Sequence, residues 1–338
     1  MIGILVTVLS VIAAAVLTWP SFFRIEQVFP LAQVVSFRAL LVAGFIAITV
    51  VMLLLAFIRP MRTFVLSIAL VTALAAVANG FILGARGFGS DDLPAPTDTS
   101  VRVMTWNTAG AATDPATIAQ MAVAMKADIV ALPETTIETG EQVAVQMRDL
   151  GQRMWAHHVE FEEPEGDSWD AQSTSLLISP ELGDYSVIES SANGSSNTSQ
   201  LPSAVVMPLD GDGPTVVAVH AVAPRPGYME KWQEDLRWLA DQCAENNVIM
   251  AGDFNATLDH MARWGVDGAA LGTCYDGASA SGNGAVGTWP TSLPRLAGVP
   301  IDHVMATEHW VATGSSVLPV GSSRSDHRPL IVQFEPAG

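Results

Sequence analysis

Three long apolar stretches without charged residues dominate the first 85 residues of the chain. They are Met1–Phe23, Ala39–Ile58 and Thr63–Ala85. An α-helix needs about 20 predominantly apolar residues to cross the hydrocarbon core of a bilayer, and each stretch is long enough. We therefore predict three transmembrane helices within residues 1–85. The short polar link at residues 59–62 predicts an antiparallel hairpin of the second and third helices.

A cleaved signal peptide is the alternative interpretation of the first stretch. Signal peptides carry a positively charged region before the apolar run, whereas no Lys or Arg precedes Arg24. Two further apolar stretches also follow. These observations favour an uncleaved three-helix anchor at residues 1–85, followed by a polar linker rich in Gly and Pro at residues 86–100.

From residue 101 onward, short apolar runs alternate with polar loops. Val101–Trp106 and Asp128–Leu132 predict strands, and Pro115–Met125 between them predicts a helix with one apolar face. Tyr228–Glu245 predicts a longer helix of the same kind. Many strands and few helices predict an α+β fold for residues 101–338, with two packed mixed β-sheets and outer helices. Further strands are predicted at Ser175–Ser179, Ala204–Met207, Val216–His220, Val248–Ala251, Ile301–Ala306, Trp310–Val317 and Leu330–Phe334.

Charge separates the two parts of the chain. Residues 1–90 contain five Arg and one Glu, whereas residues 91–338 contain 11 basic and 33 acidic residues. A domain that is so acidic repels a long polyanion unless cations intervene. The charge therefore disfavours a dedicated nucleic-acid surface, although acidity also serves solubility alone.

The positive-inside rule, which counts Lys and Arg beside the spans, does not decide on which side of the membrane the C-terminal domain lies, because the counts are nearly equal. Arg59 and Arg62 lie in the tight hairpin loop, and Arg24, Arg38 and Arg86 lie on the other side. The scarcity of Lys in the C-terminal domain favours placing that domain outside the cytoplasm, on a multi-pass protein of the cell membrane.

The two cysteines of the chain, Cys243 and Cys274, both lie in the C-terminal domain. A disulfide between them would agree with an extracytoplasmic location, because disulfides persist in oxidising compartments. Two buried thiols are the alternative, and the spacing does not decide between the two.

Oxygen-bearing side chains follow the two strands of the predicted strand–helix–strand unit. Asn107 follows the first strand and Glu134 follows the second, so both are expected at the same edge of the sheet. Mg²⁺ prefers oxygen ligands, and no paired Cys or His spacing suggests zinc. We predict Glu134 and Asn107 as metal ligands. An acidic residue at a helix N-terminus is the alternative for Glu134.

The segment Gly252-Asp253-Phe254-Asn255 follows another buried strand. Hydrolysis of a phosphate ester needs a water oriented in line with the leaving oxygen. We predict that Asp253 orients or deprotonates this water. Asn255, two residues on in an extended turn, would point to the same side and donate a hydrogen bond to the phosphoryl group. An Asx-turn with a structural role only is the alternative for both.

A histidine follows a carboxylate, Asp326-His327, just before the last predicted strand. Histidine titrates near neutrality and transfers protons. We predict Asp302 as the carboxylate that fixes the His327 tautomer, which leaves Asp326 to approach the metal. His220 ends another strand and is predicted to bind the phosphate. His303 is a weaker candidate, because adjacent strand residues face opposite sides and Asp302 is the inward one.

These residues form a set in a fixed order along the chain: Trp106-Asn107, Glu134, Val219-His220, Gly252-Asp253-Phe254-Asn255, Asp302-His303 and Ser325-Asp326-His327-Arg328-Pro329. The set resembles the endonuclease/exonuclease/phosphatase superfamily, over residues 101–336. That superfamily includes deoxyribonuclease, abasic-site endonucleases, inositol-polyphosphate phosphatases and neutral sphingomyelinases. The resemblance implies a four-layer αββα sandwich and one or two Mg²⁺ or Mn²⁺ ions.

The resemblance also implies roles for individual residues. The loop Gly287-Thr288-Trp289-Pro290 resembles the substrate-facing loop of these enzymes, with core packing as the alternative for Trp289. The tyrosine that abasic-site nucleases carry on a middle strand has no match here, which disfavours that activity. The implied roles place Glu134 and Asn107 at the metal, Asp253 and Asn255 at the water and phosphate, His220 at the phosphate, and Asp302 beside His327.

Three functions follow as hypotheses. The first is a membrane-anchored, divalent-metal-dependent phosphoesterase, in which residues 101–338 hydrolyse a phosphate mono- or diester of a lipid or lipid-linked substrate by in-line attack of an activated water. The second is a membrane-tethered nuclease that cleaves DNA or RNA, which the acidic domain disfavours. The third is a non-catalytic sensor or scaffold, which the full set of chemical residues disfavours.

Overall fold

Helices occupy the N-terminal region and strands predominate after residue 100 in the computed structural model of the chain, which describes residues 2–89, 93–161, 170–188 and 197–338. Residues 90–92 of the predicted linker lie outside the described residues. The helices are α1 (Ile2–Thr18), α2 (Leu31–Ser36), α3 (Arg38–Leu55), α4 (Arg62–Arg86), α5 (Pro115–Met125), α6 (Ile137–Asp149), α7 (Met229–Gln242), α8 (Leu258–Met261) and α9 (Gly277–Ala280). The strands are β1 (Val101–Thr105), β2 (Ile129–Pro133), β3 (Trp155–Glu160), β4 (Ser173–Ile178), β5 (Tyr185–Ile188), β6 (Ala204–Pro208), β7 (Thr215–His220), β8 (Val248–Asp253), β9 (Tyr275–Asp276), β10 (Asp302–Ala306), β11 (Trp310–Val317) and β12 (Leu330–Pro336).

Within the described residues, α3 and α4 are long and apolar enough to cross a membrane. Only 11% of the α3 window is buried, whereas a core helix of a soluble protein is mostly buried. The first predicted span is shorter than expected: α1 ends at Thr18, because Pro20 follows and the residue before a proline disfavours helix. Its 17 residues reach about 25 Å, somewhat less than the bilayer core.

The three long N-terminal helices pack side by side. Thr49 of α3 bonds to Thr72 of α4 at 2.7 Å, and Arg38 at the start of α3 donates to Asn79, late in α4. These contacts show the antiparallel hairpin that the sequence predicts. Asn79 also donates to Thr18 at the end of α1, at 2.9 Å. The end of α1, the start of α3 and the end of α4 therefore lie on one side, next to the rest of the chain.

The strands form two six-stranded mixed sheets. In the first sheet the order is β11-β12-β1-β2-β4-β3, and in the second it is β5-β6-β7-β8-β10-β9. β1 pairs with β2, and β7 pairs with β8, in parallel, and the other pairs are antiparallel. Each parallel pair needs a crossover helix, and α5 and α7 supply these.

The two sheets pack face to face between outer helices. Val103 and Ile129 of the first sheet share one buried cluster with Val216 and Ile249 of the second. α5 and α6 cover the outer face of the first sheet, and α7 covers the outer face of the second. The layers are those of a four-layer αββα sandwich, with apolar side chains alternating between the inner and outer faces of each strand.

Helix α6 was not predicted from the sequence. Its first turn is capped by Thr136, whose hydroxyl accepts from the Thr139 N–H at 3.3 Å. Gly140 lies inside the helix, where a Cβ atom would approach the Ser175 hydroxyl to 2.7 Å. The glycine allows close packing on β4 but weakens the helical pattern, because glycine is an unfavourable helix residue.

Cys243 and Cys274 form a disulfide. The bond joins the end of α7 to the loop that precedes β9. It decides between the two alternatives that the spacing left open, in favour of the disulfide.

Candidate active site

Five central strands meet at one edge of the sandwich: β1, β2, β7 and β8 end there and β10 begins there. His220 ends β7 and lies opposite Asp253 at the end of β8. Asp302 begins β10 and pairs in register with Asp253 from the other side. In the facing sheet, Asn107 follows β1 and Glu134 follows β2. Because parallel neighbours end at the same edge, the strand order itself brings these side chains together.

Two of these positions have left-handed backbone conformations. Glu134 has φ of 56° and Asn255 has φ of 47°, which is uncommon for residues other than glycine. The Asn255 N–H donates to Asp253 Oδ1 at 2.8 Å, and its Nδ2 donates to Asp253 Oδ2 at 3.3 Å. Asn255 thus reaches Asp253 through a tight turn, and the extended turn expected from the sequence is wrong. The Asx-turn that was the structural alternative is therefore present, and Asn255 also lies beside the Asp253 carboxylate.

Asn107 connects carboxylates from the two sheets. Its Nδ2 donates to Glu134 Oε1 and to Asp253 Oδ2, both at 3.1 Å. Its Oδ1 accepts from the Ala109 N–H at 3.0 Å, which fixes the orientation of the amide. The nitrogen of Asn107 therefore faces the carboxylates, and its oxygen faces the backbone.

His327 is held by a buried carboxylate. Its Nδ1 lies 2.8 Å from Asp302 Oδ2, and its Nε2 lies 3.7 Å from Asp253 Oδ2. The His327 N–H donates to the Ser325 hydroxyl, which in turn donates to the Asn107 carbonyl at 2.7 Å. The loop before β12 is thus tied to the end of β1. The Asp302–His327 pairing is the one expected from the sequence.

His303 lies outside this cluster. Its Nδ1 lies 2.7 Å from Asp276 Oδ2, and its Nε2 lies 2.9 Å from the Ala256 carbonyl. Both ring nitrogens are therefore engaged in the interior. The structure places Asp302, and not its neighbour His303, at the site.

His220 and Asp326 complete the predicted set from opposite sides. The His220 Nε2 lies 3.7 Å from Glu134 Oε1, and the ring is buried. The Asp326 side chain is 58% exposed and lies 4.0 Å from His327 Nε2. Its Oδ2 accepts from Trp289 Nε1 at 2.8 Å. All eight predicted residues thus meet around one point, with Asp326 at the rim.

Burial and charge shift the pKa values of these groups. Burial raises the pKa of Asp253 to about 7 and also raises that of Glu134. Burial lowers the pKa of His220 to about 3, so this imidazole is neutral at neutral pH. For His327, burial favours the neutral ring, but the Asp302 and Asp253 carboxylates outweigh it and raise the pKa to about 10. His327 is therefore protonated at neutral pH.

The residues fit a hard divalent cation. Glu134, Asp253 and Asp326 supply carboxylate oxygens, and Mg²⁺ and Mn²⁺ favour such oxygen ligands. Among the described residues, Asp253, Asp302 and His327 also hold three ligand atoms within 4.8 Å and could hold a metal. That group differs from the predicted set of Glu134, Asn107 and Asp326. We favour the Glu134 side, because Asp302 is already bonded to His327.

A cavity of about 530 Å³ opens above the cluster, with Glu134, His220, Asp253 and His327 at its floor. One wall comes from residues 19–37, which join α1 to α3 and are called here the connecting segment. Its members Gln33, Ser36 and Phe37 were not predicted at the site. The sequence carries no motif for them, because their position depends on docking to residues far along the chain.

The four-layer sandwich and the carboxylate, amide and imidazole groups at its edge define a hydrolase-type phosphoesterase fold. Residues 104–327 match the Endonuclease/Exonuclease/phosphatase family, which is more than half of the chain. The chain belongs to this family. Its members are generally hydrolases that act on phosphodiester or phosphate ester bonds.

Solved structures share the fold at low sequence identity. A Beutenbergia cavernae endonuclease/exonuclease/phosphatase is 20% identical with a TM-score of 0.53, covering 71% of this chain and 72% of its own. A Leptotrichia buccalis family protein is 12% identical with a TM-score of 0.52, covering 70% and 99%. D. rerio TDP2 in complex with a single-strand DNA product is 16% identical with a TM-score of 0.51, covering 70% and 100%. The search of curated proteins found no match to the chain.

Proposed function

We propose that the chain is a membrane-anchored, divalent-metal-dependent phosphoesterase that hydrolyses a phosphate mono- or diester, with residues 101–338 as the catalytic domain. The observation that carries the proposal is the bonded cluster at the cavity floor. In it, Asn107 links Glu134 to Asp253, and Asp302 holds His327. Carboxylate, amide and imidazole groups in this arrangement suit transfer of a phosphoryl group to water.

Glu134 and Asp326 are proposed to hold Mg²⁺ or Mn²⁺ through their carboxylate oxygens. Asn107, predicted as a third ligand, turns its Oδ1 to the Ala109 N–H and is proposed to position the carboxylates instead. When bound, such an ion neutralises charge on the phosphoryl oxygens. Glu134 is the best-placed metal ligand, because its carboxylate lies at the cavity floor. Asn107 contributes by fixing the Glu134 and Asp253 carboxylates relative to each other, through its bonds of 3.1 Å to both.

Asp253 is proposed to orient and deprotonate the attacking water. A general base works best with a pKa near the working pH, and burial raises the pKa of Asp253 to about 7. Asn255 Nδ2 donates to the Ala221 carbonyl at 2.9 Å and to the Asp253 carboxylate at 3.3 Å, and it is proposed to exchange the longer bond for one to the phosphoryl oxygen. His220, buried and neutral, is placed to donate a hydrogen bond to the phosphate from the β7 end.

His327 is proposed to stabilise and protonate the departing oxygen. Its pKa, raised to about 10, keeps a proton available on the ring at neutral pH. Asp302 accepts from Nδ1, so the Nε2 proton points toward Asp253 and the cavity. Asp302 therefore fixes the orientation and the charge of the imidazolium.

A lipid or lipid-linked phosphate is the substrate class that the surroundings favour. The connecting segment, between two apolar helices, forms a wall of the cavity. The acidity of residues 91–338 also disfavours a long polyanion.

An extracytoplasmic catalytic domain in the cell membrane is the orientation that we propose. The positive-inside rule counts Arg59 and Arg62 in the hairpin loop against Arg24, Arg38 and Arg86 on the other side, and leaves the orientation nearly balanced. The disulfide agrees with an oxidising compartment. α1 is proposed as the third span.

A membrane-tethered nuclease is the second candidate, because the family includes enzymes that act on phosphodiesters. A plasmid-nicking assay with purified protein tests it. Nicking that EDTA and Asp253→Ala abolish would support a nuclease, and no nicking with any divalent metal would exclude it. A non-catalytic scaffold is excluded by turnover that His327→Ala abolishes.

The test of the proposed function is a substrate panel with detergent-solubilised, full-length protein. The panel compares phospholipids, lipid-linked phosphates, inositol phosphates and DNA, with Mg²⁺ or Mn²⁺, and uses Asp253→Ala as the inactive control. We expect hydrolysis of a lipid or lipid-linked phosphate. Hydrolysis of DNA with none of the lipid substrates cleaved would overturn the proposal.

A further inference from the structure

The connecting segment lines the cavity together with several segments of the catalytic domain that are distant from it in sequence. Gln33, Ser36 and Phe37 come from the connecting segment, and Trp289 comes from the loop before β10. The polar floor with Asp253 belongs to neither of these walls. A phosphate at the floor would therefore have its substituent next to the connecting segment as well as next to Trp289 of the catalytic domain.

The connecting segment is bonded firmly to the catalytic domain. Gln27 donates to the His260 carbonyl at 2.7 Å, and His260 Nε2 lies 3.0 Å from the Ala32 carbonyl. Gln233 of α7 donates to the Gln27 carbonyl at 2.9 Å, and Gln33 donates to the Pro224 carbonyl. Ala32 is fully buried in the apolar cluster under α7. The segment is thus part of the folded domain and holds its wall in place.

An ion cluster fixes the membrane-side end of this wall. Asp259 of α8 accepts two hydrogen bonds from Arg38 and two from Arg86, at 2.7 to 3.1 Å. Arg38 begins α3 and Arg86 ends α4. Phe37 directly precedes Arg38, so its ring is positioned where α3 meets the catalytic domain.

Phe37 and Trp289 form an aromatic pair at the mouth of the site. Their ring centroids are 6.3 Å apart, at an angle of 55°. Trp289 Nε1 also donates to Asp326, the neighbour of His327 in the chain. The pair therefore lies between the apolar helices and the catalytic loop.

The cavity walls beyond the floor are mainly apolar. The volume of about 530 Å³ lies in the range of pockets that take a small ligand or part of a larger one. A hydrocarbon chain is the group that such walls bind by burial. Apolar wall residues besides the aromatic pair include Leu201, Val222, Pro224, Tyr228, Val299 and Ile301. Polar wall residues of the same cavity are Gln33, Ser36, Gln172, Gln200 and Arg225.

We propose that Phe37 and Trp289 determine specificity by binding the apolar part of a phosphate ester whose hydrocarbon chain runs from the cavity toward α3 and α4. The inference rests on the proposed phosphoesterase function and deepens it. It assigns substrate recognition to the connecting segment, which the sequence alone presents only as part of an anchor. Phe37 touches the substrate chain and takes no part in the chemistry.

Two chromogenic diesters that differ only in chain length test this inference. They are methyl p-nitrophenyl phosphate and octyl p-nitrophenyl phosphate, hydrolysed by full-length protein in detergent with Mn²⁺. We expect Phe37→Ala to raise KM for the octyl ester about tenfold, since a contacting aromatic wall is lost. Its kcat, and all constants for the methyl ester, should change less than about twofold. The control Phe57→Ala removes a ring that is 86% exposed beyond the far end of α3, and should change neither ester.

Two further variants keep the test valid if Phe37→Ala does not fold. Phe37→Leu, which stays apolar, should retain the preference for the octyl ester, and Phe37→Gln, of similar length but polar, should lose it. If Phe37→Ala raises KM equally for both esters, or raises it for neither, the inference is overturned. The proposed phosphoesterase function would then still stand. If wild-type protein hydrolyses neither these diesters nor p-nitrophenyl phosphate with Mg²⁺ or Mn²⁺, the proposed function fails, and the inference fails with it. Hydrolysis of p-nitrophenyl phosphate but of neither diester overturns the inference alone.

Discussion

Replacing Asp259 by Asn removes the charge that joins two helices to the catalytic domain. Asp259 accepts bidentate hydrogen bonds from Arg38 and from Arg86, with closest approaches of 2.7 Å in both pairs. Asn has the same shape but no charge, and its nitrogen would face a guanidinium that also only donates. The substitution therefore leaves two cationic side chains without a counter-ion.

The expected magnitude follows from how little of the cluster reaches solvent. The side chains of Arg38, Arg86 and Asp259 are 3%, 16% and 11% exposed. Removing one partner of a buried pair costs about 3–5 kcal/mol. The surface pair Arg148–Asp149, with side chains 59% and 65% exposed, is a matched control. Asp149→Asn should cost less than about 1 kcal/mol, because exposed pairs contribute little.

Thermal and denaturant unfolding of detergent-solubilised protein, followed by tryptophan fluorescence, measures both variants. The pH dependence of the free energy of unfolding provides a second test. Burial of Asp259 opposes its ionisation, but the Arg86 and Arg38 charges outweigh this and hold its pKa well below the usual range. A depressed pKa stabilises the fold above the unfolded value of about 3.9, and the contribution is lost as the pH falls below it.

We therefore expect the stability difference between wild type and Asp259→Asn to be constant from about pH 5 to 8 and to shrink below about pH 4. Equal effects of Asp259→Asn and Asp149→Asn would refute the reasoning. A stability difference between the two proteins that declines as the pH rises through neutrality would also refute it. A carboxyl group with a lowered pKa loses its stabilising effect only as the pH falls.

Three further predictions concern the site and the disulfide. Asp302→Asn should lower kcat about 10²–10⁴-fold, because His327 loses its proton acceptor. Asp276→Asn, which changes the buried His303 pair instead, should leave kcat near wild type. Similar losses of kcat in both variants would contradict the role given to Asp302. Glu134→Gln should weaken Mn²⁺ binding, measured by electron paramagnetic resonance, at least about tenfold, and the exposed Glu138→Gln should not weaken it. Replacing both disulfide cysteines by Ala should lower the free energy of unfolding by about 3.7 kcal/mol, as expected for a separation of 31 residues. No loss under oxidising conditions would contradict the bond.

The strand–helix–strand unit that carries Asn107 and Glu134 is where sequence-based prediction succeeds best. The helix was predicted at Pro115–Met125 and is found there. Its start is encoded locally, since Asp114 caps the first turn and Pro115 follows. Convergence of the predicted polar side chains at one edge also follows from the parallel pairing of the strands. Local pattern and simple topology were sufficient for these features.

The connecting segment shows what the sequence pattern does not contain. Gln27 bonds to His260, 233 positions away along the chain, and no local periodicity encodes such a contact. The first span was predicted too long for a related reason. Apolar residues continue to Phe23, but Pro20 ends the helix before them. Hydropathy thus described the apolar character correctly and missed both the break and the docking that places Phe37 at the cavity.

The central claim is that this edge of the sandwich hydrolyses phosphate esters with a divalent metal. Release of p-nitrophenolate from p-nitrophenyl phosphate and from a p-nitrophenyl phosphodiester by purified, full-length protein tests it most directly, with Asp253→Asn measured beside the wild type. We predict turnover with Mg²⁺ or Mn²⁺ that EDTA abolishes and added metal restores, and a fall of at least about 10³-fold in Asp253→Asn. No turnover with either metal, or equal turnover in Asp253→Asn, would contradict the claim.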